Sequence, residues 1–429
     1  MNSVSEQDVP SIRQLLQLSV PAILVGAVSA LALFLVDEAA HFVQDFLWDH
    51  LPHALNVNPD SGWWIFGVLS VIGFVIGLSV TLVRGHGGQD SATVELIGPP
   101  MQLGAVPGLV LVTILGLAGG VSLGPESAII AINTAILVAV VSRLWPRIGI
   151  GLVVMVSAAG TIGALFGTPV AAILVLTGAV AAAKTGGLLW DRLFLPLVSA
   201  STASLTMAFV GGQQLLGPAV PPLNSPMLPL LPAAAVVACV AAAVGLLGAA
   251  LFQPFHSTFH RLKRPILYTT LGGILMGLLG ALGGPLTLFK GSAQMVQLVD
   301  RAGEFSSWQL AGIVGIKLLA LLVAATAGFR GGRIFPAVFI GVAVGVLAHS
   351  IFSGIPLGLA IACGALGMVL AVSRDGWIAL FVAIMVSGDI QILPMLCFAV
   401  LPVWLLVARA PEMIAHAPKP LPHGKPQIP

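Results

Sequence analysis

Long apolar runs separated by short polar breaks fill almost the whole chain. They lie near 16–36, 62–82, 104–119, 126–141, 151–166, 169–183, 193–211, 228–252, 266–286, 310–327, 335–350, 356–373, 376–388 and 390–408. None carries the strict alternation of a strand, and each is long enough for a helix. A helix crosses the hydrocarbon core in about 20 residues. Several of these runs are shorter than that, or are cut by Gly and Pro, so the pattern predicts an all-α polytopic membrane protein with tilted and broken helices. Lipid cannot satisfy a broken backbone, so the breaks must be buried in protein or line a polar cavity.

Two breaks resemble each other. Ser157-Ala-Ala-Gly160-Thr-Ile-Gly163 matches Ile361-Ala-Cys-Gly364-Ala-Leu-Gly367, and each follows a Gly-Gly pair leading to Pro: Gly119-Gly120 to Pro125, and Gly331-Gly332 to Pro336. Matched interruptions in two halves point to a binding site near the membrane midplane. The predicted organisation is a cytoplasmic N-terminal segment 1–15, a first repeat 16–214, an inter-repeat region 215–265, a second repeat 266–414 and a disordered Pro-rich tail 415–429.

Composition sharpens this picture. Of 429 residues, 58% are hydrophobic and 8% charged, against roughly 25% charged in soluble domains. A net charge of +2 favours neither nucleic acid nor a strongly acidic partner. Cys239, Cys363 and Cys397 lie in apolar runs without metal-ligand spacing and read as small core residues. No metal or other cofactor is expected. The N-terminus lacks the pattern of a cleaved secretory signal, so the expected location is the cell (inner) membrane.

One carboxylate stands apart in GGVSLGPESAII, Gly119 to Ile130. Pro125 cannot continue a preceding helix but suits the first turn of a new one. Glu126 then faces unpaired backbone N–H groups and the positive end of a helix dipole, a place that also binds anions. No charged residue separates Glu95 from Glu126, or Glu126 from Arg143. An ionisable group so embedded reads as functional: a tethered anion that leaves when protonated or displaced, hence a gate.

Four stretches resemble the CLC chloride channels and chloride/proton antiporters, over roughly 16–415, and are most similar to a bacterial subgroup described only as ion-transport proteins. Gly124-Pro125-Glu126-Ser127-Ala128 matches the run holding the family's gating Glu. Gly85-His86-Gly87-Gly88-Gln89 matches the upstream Gly-Ser-Gly-Ile-Pro motif, at a break resembling a helix start. Gly332-Arg333-Ile334-Phe335-Pro336 matches Gly-x-Phe-x-Pro, and Ala158 to Leu174 matches the segment after the gate helix. The resemblance implies a homodimer with one pore per subunit, each built from two inverted-topology repeats. It implies an anion site lined by Gly85, His86, Gly87, Gly124, Pro125, Gly332, Arg333 and Ile334, with Met413 where the family has a Tyr. The partners are chloride or another small anion, protons if transport is coupled, and membrane lipid.

The departures from the family pattern are specific. The Ser hydroxyl position is taken by His86, either a substitute donor or a vestibule residue, and the sole Tyr, Tyr268, does not match. Ile173 to Val180 offers Thr177, Gly178 and Ala179 where antiporters of the family carry a proton-relaying Glu. The expected function is therefore passive, voltage- or pH-gated anion conduction, with anion/proton antiport as the alternative. A transporter of another solute or a non-conducting relic is the reading of a different class, and enzyme activity is not expected. Among the remaining charges, Arg330 and Arg333 either lend positive potential or snorkel, and Lys317 faces a cavity or a carbonyl cluster. Arg374-Asp375 reads as an ion pair, Asp37-Glu38 and Asp389 as interfacial, and His260 to Arg264 as a basic loop.

Overall fold

The computed structural model describes residues 11–182, 188–211, 217–218, 220–223 and 227–415. Nearly every apolar run is a helix. The first half contains α1 (Ile12–Asp45), α2 (Leu51–Leu55), α3 (Gly62–Leu82), α4 (Val106–Ala118), α5 (Glu126–Leu144), α6 (Ile150–Phe166), α7 (Pro169–Ala182) and α8 (Leu189–Val210). A 34-residue helix, α9 (Met227–His260), follows. The second half contains α10 (Pro265–Gly283), α11 (Ser292–Asp300), α12 (Ser307–Thr326), α13 (Ile334–Ile351), α14 (Leu357–Ser373), α15 (Gly376–Ser387) and α16 (Leu393–Val407).

Nine helical spans are long and apolar enough to cross a membrane among the described residues, and α4, α6, α7, α14 and α15 fall short. The helices begin where their sequences allow. Ser11 with Gln14 and Ser306 with Gln309 form capping boxes at α1 and α12, each satisfying orphan N–H groups. Asp375 caps α15 through the Trp377 and Ile378 amides. Arg374 donates to the carbonyls of Val407, Ala410 and Pro411. The expected Arg374-Asp375 ion pair is thus replaced by two backbone caps, because each side chain finds unpaired backbone closer to hand.

The two halves contribute matching pairs: α5 and α6 (19 and 17 residues), and α13 and α14 (18 and 17 residues). Helix α13 is buried nearly all round, as is α14, so neither presents a polar stripe and both form the centre of the core. Their close crossing requires glycine, since a Cβ on Gly341 or Gly364 would collide with the other helix's backbone. The region read as inter-repeat is largely α9, which packs on α12, α14 and α16. Cys363 lies in the core, but Cys397 is exposed on α16, where an apolar thiol suits a lipid-facing surface. The expected disordered tail lies, from 416 onward, outside the described residues.

Candidate functional site

The starts of α5 and α13, one from each half, meet at the centre of the molecule. Gly124 and Gly332 exchange two backbone hydrogen bonds, 2.8 Å from Gly124 N to Gly332 O and 2.6 Å in return. Glu126 stands in the first turn of α5 with Pro125 at its N-cap, as the Pro placement requires. Its carboxylate is fully buried, and it reaches across to the other half. Oε1 accepts a hydrogen bond from the Phe335 amide, 2.8 Å away in the first turn of α13. Oε2 has no hydrogen-bond partner among the described residues. Gly124 and Gly332 wall the carboxylate closely, so that a Cβ on either would strike it. Phe335, whose amide serves Glu126, stacks on Phe166 at 6.0 Å.

A cavity of about 460 Å³ ends against this point. Gly332, Arg333, Ile334, Ser127, Ser91 and Met413 are among the residues that line it. The Arg333 and Ile334 amides make no hydrogen bond among the described residues, so they present the donor groups that a helix start leaves over. The Arg333 side chain donates to the Val94 carbonyl at 3.0 Å and to the Met413 carbonyl, and its guanidinium lies 5.6 Å from the Phe252 ring centroid. Glu95, Asp375 and Glu412 also line the cavity, together with Arg374.

The loop between α3 and α4 departs from expectation. Gly85, His86, Gly87 and Gly88 all adopt positive φ, and no helix starts at His86: the first helical turn after it is Leu103–Ala105. The His86 ring is turned back, with Nδ1 3.1 Å from the Val80 carbonyl, and does not line the cavity. Gly85 and Gly87 are likewise outside the lining. The Gly87 and His86 carbonyls instead accept from Arg330, at 3.0 and 3.4 Å. Arg330 is buried and engaged, and does not snorkel.

Ser91, which sequence reasoning passed over, takes the place next to the second half. Its Oγ accepts from the Gly331 amide at 2.8 Å, which leaves its own O–H free to donate into the cavity. The available signal was a Gly-Gly pair, Gly87-Gly88, followed three residues later by a Ser, displaced five residues from His86.

Several further charges find structural partners. Lys317 is fully buried and donates to the carbonyls of Thr287, Leu288 and Phe289 at 3.0, 2.9 and 2.7 Å. Asp37 pairs with Lys290 at 3.5 Å, and Asp389 accepts from the Leu223 and Gln391 amides at 2.9 Å each. Asp90, the residue before Ser91, receives Arg330 on one side and His256 and His260 on the other. Burial alone would raise its carboxyl, but the two histidine hydrogen bonds, the Arg330 charge and the Ala92 amide hold it well below the usual carboxylate range.

The profile of the family described as "Voltage gated chloride channel" matches residues 71–402. A relative from Escherichia coli (strain 55989 / EAEC), described as "Putative ion-transport protein YfeO", is 43% identical over 414 residues, covering 96% of this chain and 98% of its own length. The protein of the same description from Shigella boydii serotype 4 (strain Sb227) is also 43% identical with the same coverage. Among solved structures, a slow cyanobacterial Cl-/H+ antiporter has a TM-score of 0.76 at 18% identity, covering 91% of this chain and 95% of that one. A CLC-type fluoride/proton antiporter has a TM-score of 0.69 at 19% identity, covering 94% of this chain and 98% of that one.

Proposed function

The chain belongs to the voltage-gated chloride channel (CLC) family, and from that premise we propose that it carries a small inorganic anion across the membrane with Glu126 as the gate. The observation that carries this reading is the Phe335 amide held by Glu126 Oε1. A carboxylate accepting from the start of the opposite half's helix stands where a mobile anion would find its donors. Once Glu126 is neutralised by a proton, or displaced, it releases that amide. Arg333 and Ile334, whose amides are left over at the same helix start, line the cavity. Amides and oriented dipoles can replace the hydration shell of a halide without a metal.

We place the anion against Arg333, Ile334 and Phe335 from the second half and Ser127 and Ser91 from the first, with Met413 as an apolar wall. Ser91 serves as the hydroxyl donor here, because its oxygen is anchored by Gly331 and its proton is free. Chloride is the default cargo, and the functional unit is a homodimer with a pore in each subunit. Conduction is passive, gated by the protonation of Glu126.

Proton-coupled exchange is the second reading, and one observation favours it. Ile173 to Val180 holds no acid, but Glu95 and Glu412 line the same cavity that reaches the gate, and water in that cavity could deliver protons between them and Glu126. The solved neighbours at the same fold include antiporters for Cl-/H+ and fluoride/proton. Anion efflux from liposomes containing the purified protein tests the shared core of both readings. Potential-driven chloride or fluoride efflux above that of empty vesicles is expected, and its absence for both anions would remove the assignment.

A further inference from the structure

Outside the anion pathway, three metal-ligating side chains converge on one point. His256 and His260 stand one turn apart on α9, and the loop before α4 brings Asp90 to them. His260 Nε2 lies 3.2 Å and His256 Nε2 3.4 Å from the same oxygen, Asp90 Oδ2. The candidate ligand atoms of the three residues all lie within 4.8 Å of one another. The side chains are 16%, 30% and 20% exposed for His256, His260 and Asp90, shielded from bulk water yet reachable from it.

The hydrogen bonds leave this cluster unfinished. His260 Nδ1 lies 3.0 Å from the His256 carbonyl, which can only accept, so Nδ1 carries a proton, and Nε2 meets the carboxylate oxygen either through a second proton or as a lone pair open to a metal. His256 Nε2 lies 3.4 Å from Asp90 Oδ2 but makes no well-formed hydrogen bond there or elsewhere among the described residues. Three such atoms this close share a cation, either a proton or a metal ion. In a tetrahedral zinc site with bonds of about 2.05 Å, neighbouring donors are separated by about 3.3 Å, which matches both histidine-to-aspartate distances.

We propose that Asp90, His256 and His260 bind a divalent transition-metal cation of the zinc class, with a fourth position open to water or an anion. Two imidazoles and one carboxylate select this class over magnesium or calcium, which take oxygen ligands. The outer contacts fit the assignment. Asp90 Oδ1, the oxygen not facing the histidines, accepts from the Ala92 amide at 3.1 Å and lies 3.6 Å from Arg330 Nη1, leaving Oδ2 for the metal. Tyr268 stacks on the His260 ring at 4.7 Å between centroids. Such outer-shell support is what orients ligands at metal sites. The bound cation would tie the loop carrying Ser91 to α9, and so brace one wall of the cavity.

The test uses the full-length protein in detergent, stripped with a chelator and titrated with Zn²⁺ by calorimetry. One Zn²⁺ per chain is expected, and His256→Gln with His260→Gln should weaken it by at least about tenfold, whereas His41→Gln should leave it unchanged. Co²⁺ on the unsubstituted chain supplies a readout that needs no variant: the intense visible absorption of a four-coordinate ion is expected. No Zn²⁺ uptake, uptake indifferent to the double substitution, or only the weak spectrum of hydrated Co²⁺ would overturn the site and leave a hydrogen-bonded cluster sharing a proton.

Discussion

Gly124 and Gly332 lie 208 positions apart and bond to each other twice, at 2.8 and 2.6 Å, across the junction of the two halves. The pair does more than join the repeats. With no side chain on either residue, the Glu126 carboxylate fits between them and reaches the Phe335 amide. Glu126 is therefore held by the opposite half, and the two helix starts must stay in register to keep that bond.

Glu126→Gln removes the charge while keeping the shape. In the unsubstituted protein, acidification protonates Glu126 and frees the Phe335 amide, so anion flux should rise as pH falls, by up to about tenfold per pH unit while the charged form dominates. The Gln variant should conduct at its high level throughout. Chloride efflux from liposomes between pH 4 and 8 measures this, and an unaltered pH profile in the variant would take Glu126 out of the gate.

Gly332→Ala tests the fit from the other side. The added methyl meets Oε2 and Cδ of Glu126, in a core that cannot yield freely, so the variant should lose about 1–3 kcal/mol of stability. Shortening the opposing side chain with Glu126→Ala should restore most of the loss in the double variant. Thermal unfolding of the two single variants and the double in detergent measures the coupling. Additive losses would mean that the collision is relieved elsewhere.

The helices were legible as apolar runs, and the start of α5 was legible from Pro125. But α1 (Ile12–Asp45) and α9 (Met227–His260) run well past the apolar stretches 16–36 and 228–252, because polar residues at a helix end do not interrupt its backbone bonds. The meeting of α5 with α13 was legible in part, since the Gly-Gly-to-Pro breaks occur twice. The donor to Glu126 was not. A sequence shows which amides a helix start leaves unpaired, but not that the Phe335 amide, 209 residues away, would donate to Glu126. The His86 assignment misled for a related reason. A Gly-rich loop has no period to fix its register, and here four successive positive-φ residues turn the chain before it reaches the cavity, so Ser91 lines the cavity and His86 does not.

Ser91→Ala and His86→Ala separate those two registers. Removing the Ser91 hydroxyl should weaken anion binding by about tenfold, the worth of roughly 1.4 kcal/mol for one hydrogen bond to a charged group. His86→Ala should leave affinity and selectivity unchanged, as its ring faces the Val80 carbonyl. Calorimetric titration with chloride distinguishes them, and the opposite ranking would restore His86 to the site.

Lys317→Met probes the buried ammonium. The carbonyls of Thr287, Leu288 and Phe289 all accept from Nζ, and Met leaves them in a dry environment without a donor. A loss of about 3 kcal/mol or more is expected, read as a lowered unfolding temperature. The folded fraction should retain the anion selectivity of the parent, because Lys317 does not line the cavity. Altered selectivity at unchanged stability would instead make Lys317 part of the pathway.

The choice between passive conduction and exchange turns on Glu95. It lines the same cavity as Gly332, the residue packed against the Glu126 carboxylate. If conduction is passive, a chloride gradient imposed on sealed vesicles should drive no uphill proton movement, and Glu95→Gln should leave chloride flux within about twofold of the parent, since the substitution keeps the side chain's size and alters only charge at a distance. If protons are exchanged, the same gradient should acidify or alkalinise the lumen in fixed proportion to chloride moved. Glu95→Gln should then abolish proton movement while chloride continues to pass, because the anion donors at Arg333, Ile334 and Ser91 are untouched. A pH-sensitive dye and a chloride electrode read in parallel decide between them. Fixed-ratio proton movement in the parent would sink passive conduction, and its persistence in Glu95→Gln would show that protons reach Glu126 by another route.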